Sequence, residues 1–235
     1  MLTIYGALNS RATRPIWLAI ELGMPFRHVP VVQASRLVDP DAPDAPLNTG
    51  SPAFLAISPV AAVPVIDDDG LILHESMAIN LHLARKAGGP IGPVEPREDA
   101  LMTMWSFWAA TECEPWTIEL LVNLGIRGEL ERDGGMVATA RKRLRPRMAM
   151  LATALDRGSG WLVAGRFTVA DLNAAEVMRY AQPAGDLIAE FPQIARWLAC
   201  CQARPAFVEM IGRRKAEIPP DGWQRAYRRE AANGR

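Results

Sequence analysis

Two short segments in the first third of the chain could hold a ligand through their backbone, and the first is centred on a proline. Ala62-Val63-Pro64-Val65 opens an apolar run, where proline is tolerated as the first residue of a strand. A cis bond before Pro64 would turn the amide and carbonyl of Val63 outward, offering an extended ligand one donor and one acceptor. An ordinary trans proline is the alternative, because only about 5% of such bonds in folded proteins are cis.

The second segment is Glu75-Ser76, which follows a predicted hairpin and opens a predicted helix. The first amides of a helix are free, and its N-terminus carries partial positive charge. Ser76 can therefore offer its hydroxyl and its amide to an anion. A simple helix cap is the alternative, and the two roles are compatible because the amides are free in both.

Apolar patterns around these segments predict a unit of strands and helices that ends near residue 88. Leu2–Tyr5 has the pattern of a buried strand, and Pro15–Leu22 carries apolar residues at helical spacing. The later predicted elements are a strand at 26–32, a loop at 38–52, a hairpin of strands at 63–66 and 71–73, and a helix at 75–86. This order is typical of a mixed sheet with helices on its faces.

From about residue 96 onward the pattern changes to long segments of helical periodicity. The predicted helices lie at 97–124, 136–155, 169–180 and 192–201, with no convincing strand among them. Gly88-Gly89-Pro90 is a helix stop followed by a proline-rich connector. We therefore predict an α/β domain at 1–88, an all-α domain at 96–220 and a polar tail at 221–235.

One predicted helix start in the second half is marked by a capping box. Thr168 and Asp171 have the serine/threonine-x-x-acid spacing, with Phe167 and Leu172 placed as a hydrophobic staple. Such a cap satisfies amides that are otherwise unpaired and is worth about 1 kcal/mol. We interpret both capping residues as structural rather than catalytic.

Composition narrows the classes of partner. Lys plus Arg equals Asp plus Glu at 26 each, so no overall field attracts nucleic acid or an anionic membrane. The basic run Arg141–Arg147 is typical of a solvated helix face. The three cysteines lack metal-ligand spacing, and no segment approaches the roughly 18 apolar residues of a membrane span. We expect a cytoplasmic protein without a metal site.

Taken together, these segments resemble the cytosolic glutathione transferase family over nearly the whole chain. Phe54–Pro59 leading into Ala62–Val65 is similar to the family's segment before its cis-proline, and Glu75–Ile79 is similar to its Glu/Gln-Ser-x-Ala-Ile signature. Thr168–Asp171 resembles the family's buried helix cap. The chain is identified as a bacterial-type member with a serine-like active-site loop. The resemblance implies an N-terminal thioredoxin-like domain followed by a C-terminal helical bundle.

The resemblance also implies that glutathione is the co-substrate and assigns residues to it. Val63, beside Pro64, pairs with the cysteinyl backbone of glutathione, and Glu75 and Ser76 hold its γ-glutamyl end. Arg11 is a candidate for binding a carboxylate, with a solvated arginine as the alternative. The sequence departs from the family just before the proline, where two alanines replace the glycine and the basic or polar residue of many relatives.

In the family, the sulfur of glutathione meets a residue of the loop after the first strand. Ser10 is the first catalytic candidate here, because a hydroxyl near the start of a helix favours the thiolate. Asn9 is the second candidate donor, and Tyr5 lies close by. A loop serine making a local turn bond is the structural alternative. This loop contains no cysteine, which argues against a glutaredoxin-like covalent mechanism.

Trp105 and Trp108 crowd the first predicted helix of the second half and are candidates for an apolar co-substrate pocket. The alternative is core packing, which is more usual for aromatic residues at helical spacing.

We expect a transferase that activates the glutathione thiolate for attack on a small apolar electrophile, acts in detoxification and forms a homodimer. Two other readings stay open. One is a glutathione-dependent reductase or isomerase on the same fold, and the other is a non-catalytic binding or scaffold protein.

Overall fold

The computed structural model describes residues 1–217, and short apolar runs in its first third form a four-stranded sheet of order β2-β1-β3-β4. The strands are β1 (Leu2–Tyr5), β2 (Phe26–Val29), β3 (Val65–Asp68) and β4 (Leu71–His74). β1 runs parallel to β2 and antiparallel to β3, and β3 pairs with β4 as a hairpin. The mixed sheet predicted from the sequence is confirmed.

Three helices accompany this sheet: α1 (Thr13–Glu21), α2 (Pro52–Leu55) and α3 (Ser76–Ala87). α1 is the crossover that a parallel pair of strands requires, and it buries Ile16 and Trp17 completely. Phe54 of α2 packs with Val31 and Val65 in a smaller cluster of its own. The β-α-β, β-β-α order of a thioredoxin-like domain is therefore confirmed.

The remaining described helices form the second domain: α4 (Pro96–Trp108), α5 (Glu114–Leu120), α6 (Gly134–Arg157), α7 (Val169–Met178), α8 (Gly185–Ala189), α9 (Pro192–Gln202) and α10 (Pro205–Ala216). Every residue of α7 is buried, so this helix is the centre of the domain. α10 packs against α1 and was not predicted as a helix. Within residues 1–217, no helix is long and apolar enough to span a membrane.

The helix predicted at 97–124 is continuous in space but changes its winding twice. Two π-helical segments, Ala109–Cys113 and Leu121–Ile126, flank α5. Pro115 lies two residues after the end of the first of them and has no amide to donate, so the wider turn falls next to an interruption of the regular hydrogen-bond ladder. The sequence predicted one helix here but not the two wide turns.

A single hydrophobic core runs through both domains, from Leu2 and Ile4 of the sheet to Leu198 and Met210 of the last helices. α3 ends at Ala87 and α4 begins at Pro96, on either side of the predicted connector. The domain limits 1–88 and 96–220 stay predictions. The tail at 221–235 and the last residues of the predicted helical domain lie outside the described residues.

Candidate active site

The loop between β1 and α1 is held in place mainly by its backbone. Gly6 has a φ of 138°, and a Cβ at this position would lie 2.8 Å from the Cβ of Ala12 and 3.2 Å from that of Val63. Only glycine allows this approach and this conformation. His28 Nε2 lies 2.8 Å from the carbonyl oxygen of Gly6, and the amide of Ala7 donates to Val31 at 2.9 Å. The loop therefore presents its next residues at a defined position.

Ser10 and Asn9 both line the cavity described below, and their side chains differ in the hydrogen bonds that they make. Ser10 Oγ donates to the carbonyl of Ala7 at 2.7 Å and accepts the amide of Ala12 at 3.1 Å. This is the local turn bond that the sequence analysis held as an alternative. Among residues 1–217, the side-chain amide of Asn9 has no hydrogen-bond partner. Tyr5 packs in the small cluster with Phe54 and is absent from the cavity wall.

The peptide bond between Val63 and Pro64 is cis, as predicted. Pro64 is buried, whereas Val63 is half-buried and lines the cavity together with Ser10. The residues before β3 and the loop after β1 therefore form the same wall of the cavity.

Glu75 and Ser76 stand at the N-terminus of α3 but have different surroundings. Glu75 is exposed and has a φ of 69°. Ser76 is buried, and its hydroxyl accepts a hydrogen bond from the Arg14 guanidinium at 3.0 Å. Neither residue lines the cavity. Arg14 therefore links the start of α3 to the rest of the site.

Glu114 is the carboxylate on which the arginines of this region converge. Arg14 Nη2 lies 2.8 Å and Arg11 Nε 2.5 Å from Glu114 Oε1. Burial by itself raises the pKa of Glu114, but the attraction and hydrogen bonds of Arg14, and then of Arg11, outweigh it and lower that pKa. Glu114 follows the first π-helical segment directly. Sequence reasoning missed it, because an isolated acid in an apolar helix carries no motif.

The cavity has a volume of about 370 Å³ and lies between the β1–α1 loop and the second domain. Its apolar wall is supplied by the end of α5 and the second π-helical segment, with Ile118, Leu121, Val122, Gly125 and Ile126. Cavities of this size that combine apolar walls with a few polar groups are typical of small-molecule sites.

The opposite wall is basic. Arg36 follows β2 in a short 3₁₀ helix, Arg179 and Tyr180 follow α7 in another, and Arg214 lies in α10. Arg179 makes a bidentate pair with Glu176, at 2.8 and 3.0 Å, and Glu176 also accepts from Thr13 at 2.7 Å. None of these basic residues was singled out from the sequence, since no motif joins positions so far apart in the chain.

The structure places the two candidate pocket tryptophans elsewhere. Trp105 is buried in the core, and Trp108 packs edge-on against it with ring centroids 5.1 Å apart. Neither lines the cavity, so the core-packing alternative describes them. The helix positions that do reach the cavity lie about three to five turns further along, after Pro115.

The capping box at α7 forms as predicted and lies outside the cavity wall. Asp171 accepts from the amide and hydroxyl of Thr168, from the amide of Leu162 and from Trp197 Nε1, at 2.9 to 3.0 Å. Among residues 1–217, no group of three or more His, Cys, Asp or Glu side chains could hold a metal ion. Burial raises the pKa of the Cys113 thiol to about 12, so this cysteine is no nucleophile near pH 7.

Two family models match the chain in succession. Residues 4–91 match the glutathione S-transferase N-terminal domain, and residues 104–205 match the glutathione S-transferase C-terminal domain. The chain belongs to the glutathione S-transferase family. Membership makes it a transferase that uses glutathione as its co-substrate.

The curated relatives match this chain over different lengths. Glutathione S-transferase 3 of Zea mays is 26% identical over 93% of this chain and 97% of its own length. Glutathione S-transferase 3 of Schizosaccharomyces pombe is 32% identical, but over 46% of this chain and 39% of its own. Several of the curated relatives are plant enzymes, so the likeness is to plant members rather than to the bacterial type expected from the sequence.

Solved structures share the whole architecture. A glutathione S-transferase III in its apo form is 27% identical, with a TM-score of 0.75, and the match covers 93% of this chain and 99% of that one. The theta-class enzyme of Xanthomonas axonopodis pv. citri, solved with glutathione bound, is 26% identical with a TM-score of 0.66, covering 89% and 96% of the two chains.

Proposed function

We propose that the protein binds glutathione along the edge of its first domain and activates its thiol for attack on a small electrophile. The γ-glutamyl end binds at Glu75 and at the free amides that begin α3. The cysteinyl backbone pairs with the amide and carbonyl of Val63. This pose directs the sulfur toward Ser10 and Asn9. The single observation that carries the proposal is that Val63, Ser10 and Asn9 line the same cavity as the apolar helix wall.

Ser10 stabilises the thiolate by donating its hydroxyl hydrogen to the sulfur instead of to a backbone carbonyl. Its hydroxyl now donates to the carbonyl of Ala7, a neutral bond worth about 1 kcal/mol, whereas a bond to a charged group is worth about 1.5–3 kcal/mol. The exchange is therefore favourable and needs only rotation of the hydroxyl hydrogen. Lowering a thiol pKa from about 8.5 to about 6.5 requires about 2.7 kcal/mol. The Ser10 bond supplies much of this, and the positive end of α1 adds to it.

Asn9 acts as the second donor. Its side-chain amide has no partner within residues 1–217, so it can turn to the sulfur without breaking a bond. Arg11 keeps guanidinium hydrogens beyond the one that it gives to Glu114, and these favour a negative charge at the same wall.

The electrophile occupies the cavity with its apolar part against Ile118, Leu121 and Val122. The thiolate forms a bond to an electrophilic carbon. From an aryl halide the halide departs with its bonding electrons, whereas in an isothiocyanate the carbon–nitrogen π electrons move to nitrogen, which takes a proton. The protein itself forms no covalent bond to either substrate. Such conjugation of reactive apolar compounds serves detoxification.

The test is a pH–rate profile of Ser10→Ala with an aryl halide or isothiocyanate that the wild type accepts. We expect the pKa of the bound thiol to rise by about one to two units, with rates below the wild-type pKa falling about tenfold. Thr153→Ala is the matched control, because its exposed hydroxyl also donates to a backbone carbonyl, at 3.0 Å. An unchanged profile in Ser10→Ala would transfer the role to Asn9, and Asn9→Ala would then decide.

Two other functions make different predictions. A reductase or isomerase of the glutaredoxin-like kind needs a cysteine in the β1–α1 loop, and residues 6–12 contain none. A scaffold without catalysis would not generate a thiolate. Retention on immobilised glutathione, together with thiolate absorbance near pH 7, supports the transferase, whereas failure of both supports the scaffold.

We further infer a homodimer. Its support in this chain is a set of exposed apolar side chains on α4 and on the edge strand β4: Met104, Phe107, Leu71 and Ile72. Sedimentation of Phe107→Asp should show a shift toward the 25.7 kDa chain, while Leu130→Asp, at a fully exposed leucine of a short 3₁₀ helix, should not. A wild type that sediments only at 25.7 kDa would contradict the dimer.

We infer a cytoplasmic location as well. All three cysteines are free, two of them buried, which suits a reducing compartment. Fractionation of cells that produce the protein would test this.

A further inference from the structure

The basic wall of the cavity carries more positive charge than the binding of a purely apolar electrophile requires. Three guanidiniums reach it from three separate elements: Arg36 after β2, Arg179 after α7 and Arg214 in α10. Arg36 is 8% exposed, so this charge is held within the fold rather than on a solvated surface. Within residues 1–217, no aspartate or glutamate lines the cavity.

The nearby carboxylates have other partners. Glu176 is fully buried and accepts from both Arg179 and Thr13, and Glu114 accepts from Arg11 and Arg14. Glu217 accepts the amide of Leu8 through Oε2 at 2.8 Å, and its buried Oε1 has no hydrogen-bond partner within residues 1–217.

Arg214 differs from the other cavity arginines in its surroundings. Within residues 1–217 it makes no hydrogen bond and no ion pair. Burial lowers the pKa of its guanidinium, and repulsion by Arg179 lowers it further, against the attraction of Glu176. A partly buried cation that faces other cations is costly unless an anion joins it.

Tyr180 completes this wall. Its ring lies beneath the guanidinium of Arg179, at 5.2 Å, and its hydroxyl makes no hydrogen bond within the described part of the chain. A phenol and a guanidinium together offer donors suited to the oxygens of a carboxylate.

We propose that the electrophilic co-substrate carries a carboxylate, which binds to Arg214 and Tyr180 while its apolar body lies along Ile118 and Leu121. The inference rests on the proposed transferase function and names the substrate class of that same cavity. With 4-chloro-3-nitrobenzoate as the electrophile, the thiolate forms a bond to the ring carbon that bears chlorine, and chloride leaves with the carbon–chlorine electron pair. The thiol proton goes to solvent, and the carboxylate is unchanged.

The test compares 4-chloro-3-nitrobenzoate with its neutral amide, using the full chain and correcting each rate for the uncatalysed reaction with glutathione. Arg214→Gln should lower kcat/KM for the benzoate by about tenfold or more and that for the amide by less than about twofold. Lys215→Gln removes the same charge from the next residue of α10, which is exposed, and should leave both values unchanged. The unreactive 4-methyl-3-nitrobenzoate should inhibit the wild type more strongly than its amide.

Three results would overturn the proposal. Equal losses for benzoate and amide would show that Arg214 does not recognise the carboxylate of the electrophile. A raised KM for glutathione with both compounds would show that Arg214 holds a carboxylate of glutathione instead. Equal inhibition by the two unreactive analogues would also exclude carboxylate recognition, even where the variant misfolds.

The neutral substrate separates this proposal from the one on which it rests. If the amide and 1-chloro-2,4-dinitrobenzene are both conjugated but the benzoate is not favoured, only the carboxylate inference is wrong. If none of the compounds consumes glutathione, the transferase proposal is wrong and the inference falls with it.

Discussion

Glu114 beside the cavity and Asp171 at the start of α7 are both buried acids, and their surroundings are opposite. Glu114 is held by two guanidiniums, which lower its pKa. Asp171 is held by amides, a hydroxyl and an indole, without a cation, and burial raises its pKa to about 6. The comparison teaches that hydrogen bonds alone secure a helix start, whereas a carboxylate that is to stay charged beside a ligand cavity requires cations.

The largest expected effect follows from removing the charge of Glu114. Glu114→Gln leaves Arg14, which is 1% exposed, without its buried anion, and we expect the free energy of unfolding to fall by about 3–5 kcal/mol. Urea unfolding measures this. Glu190→Gln, which breaks an exposed pair with Arg145, is the control and should change little. A loss as small as that of the control would show that Arg14 does not depend on Glu114.

The same change of charge at Asp171 should cost less. In Asp171→Asn, one buried donor loses its acceptor, but the cost of burying a charge is removed at pH 7. We expect a net change under about 2 kcal/mol by urea unfolding. A loss equal to that of Glu114→Gln would erase the difference between the two acids.

The two acids should also respond to pH with opposite signs. The folded pKa of Asp171, about 6, lies above the ordinary 3.8, so the folded state binds more protons between these values. Relative to Asp171→Asn, the wild type should lose about 3 kcal/mol as pH rises from about 4 to about 6, and no more above that.

For Glu114 the folded pKa lies below the ordinary 4.5, so its stabilisation is present above this pH and is lost as pH falls. Unfolding of the wild type and the two variants between about pH 3 and 7 measures both slopes. Slopes of the same sign would contradict the assignment of cations to one acid only.

The smallest expected effect is that of Arg11→Gln. The Arg11 side chain is 42% exposed, and Arg14 still neutralises Glu114 in its absence, so we expect stability to change by less than about 1 kcal/mol. Urea unfolding at pH 7 tests this, with Arg14→Gln as the larger partner change. A loss above about 2 kcal/mol for Arg11→Gln would mean that the two cations act as a unit.

Local patterns in the sequence were enough to predict the helices and strands, and the residues whose roles depend only on their neighbours in the chain. The strand at Leu2–Tyr5 and the capping box of Thr168 and Asp171 are present as predicted, and the cis-proline after Val63 is present as the family resemblance implied. Alternation, helical spacing and capping are set by neighbouring residues, so they can be read from the sequence alone.

The sequence by itself therefore determined the fold and the family, and it singled out the β1–α1 loop as the place of the candidate catalytic residues. Only the tertiary structure decided which side chains share the cavity. Trp105 lies in the core, and the apolar wall of the cavity is formed by residues after Pro115. Arg36, Arg179 and Arg214 line the same cavity although they are far apart in the sequence. The physical reason is that the direction of a side chain and its charged neighbours depend on how distant elements pack, and no local spacing records that packing.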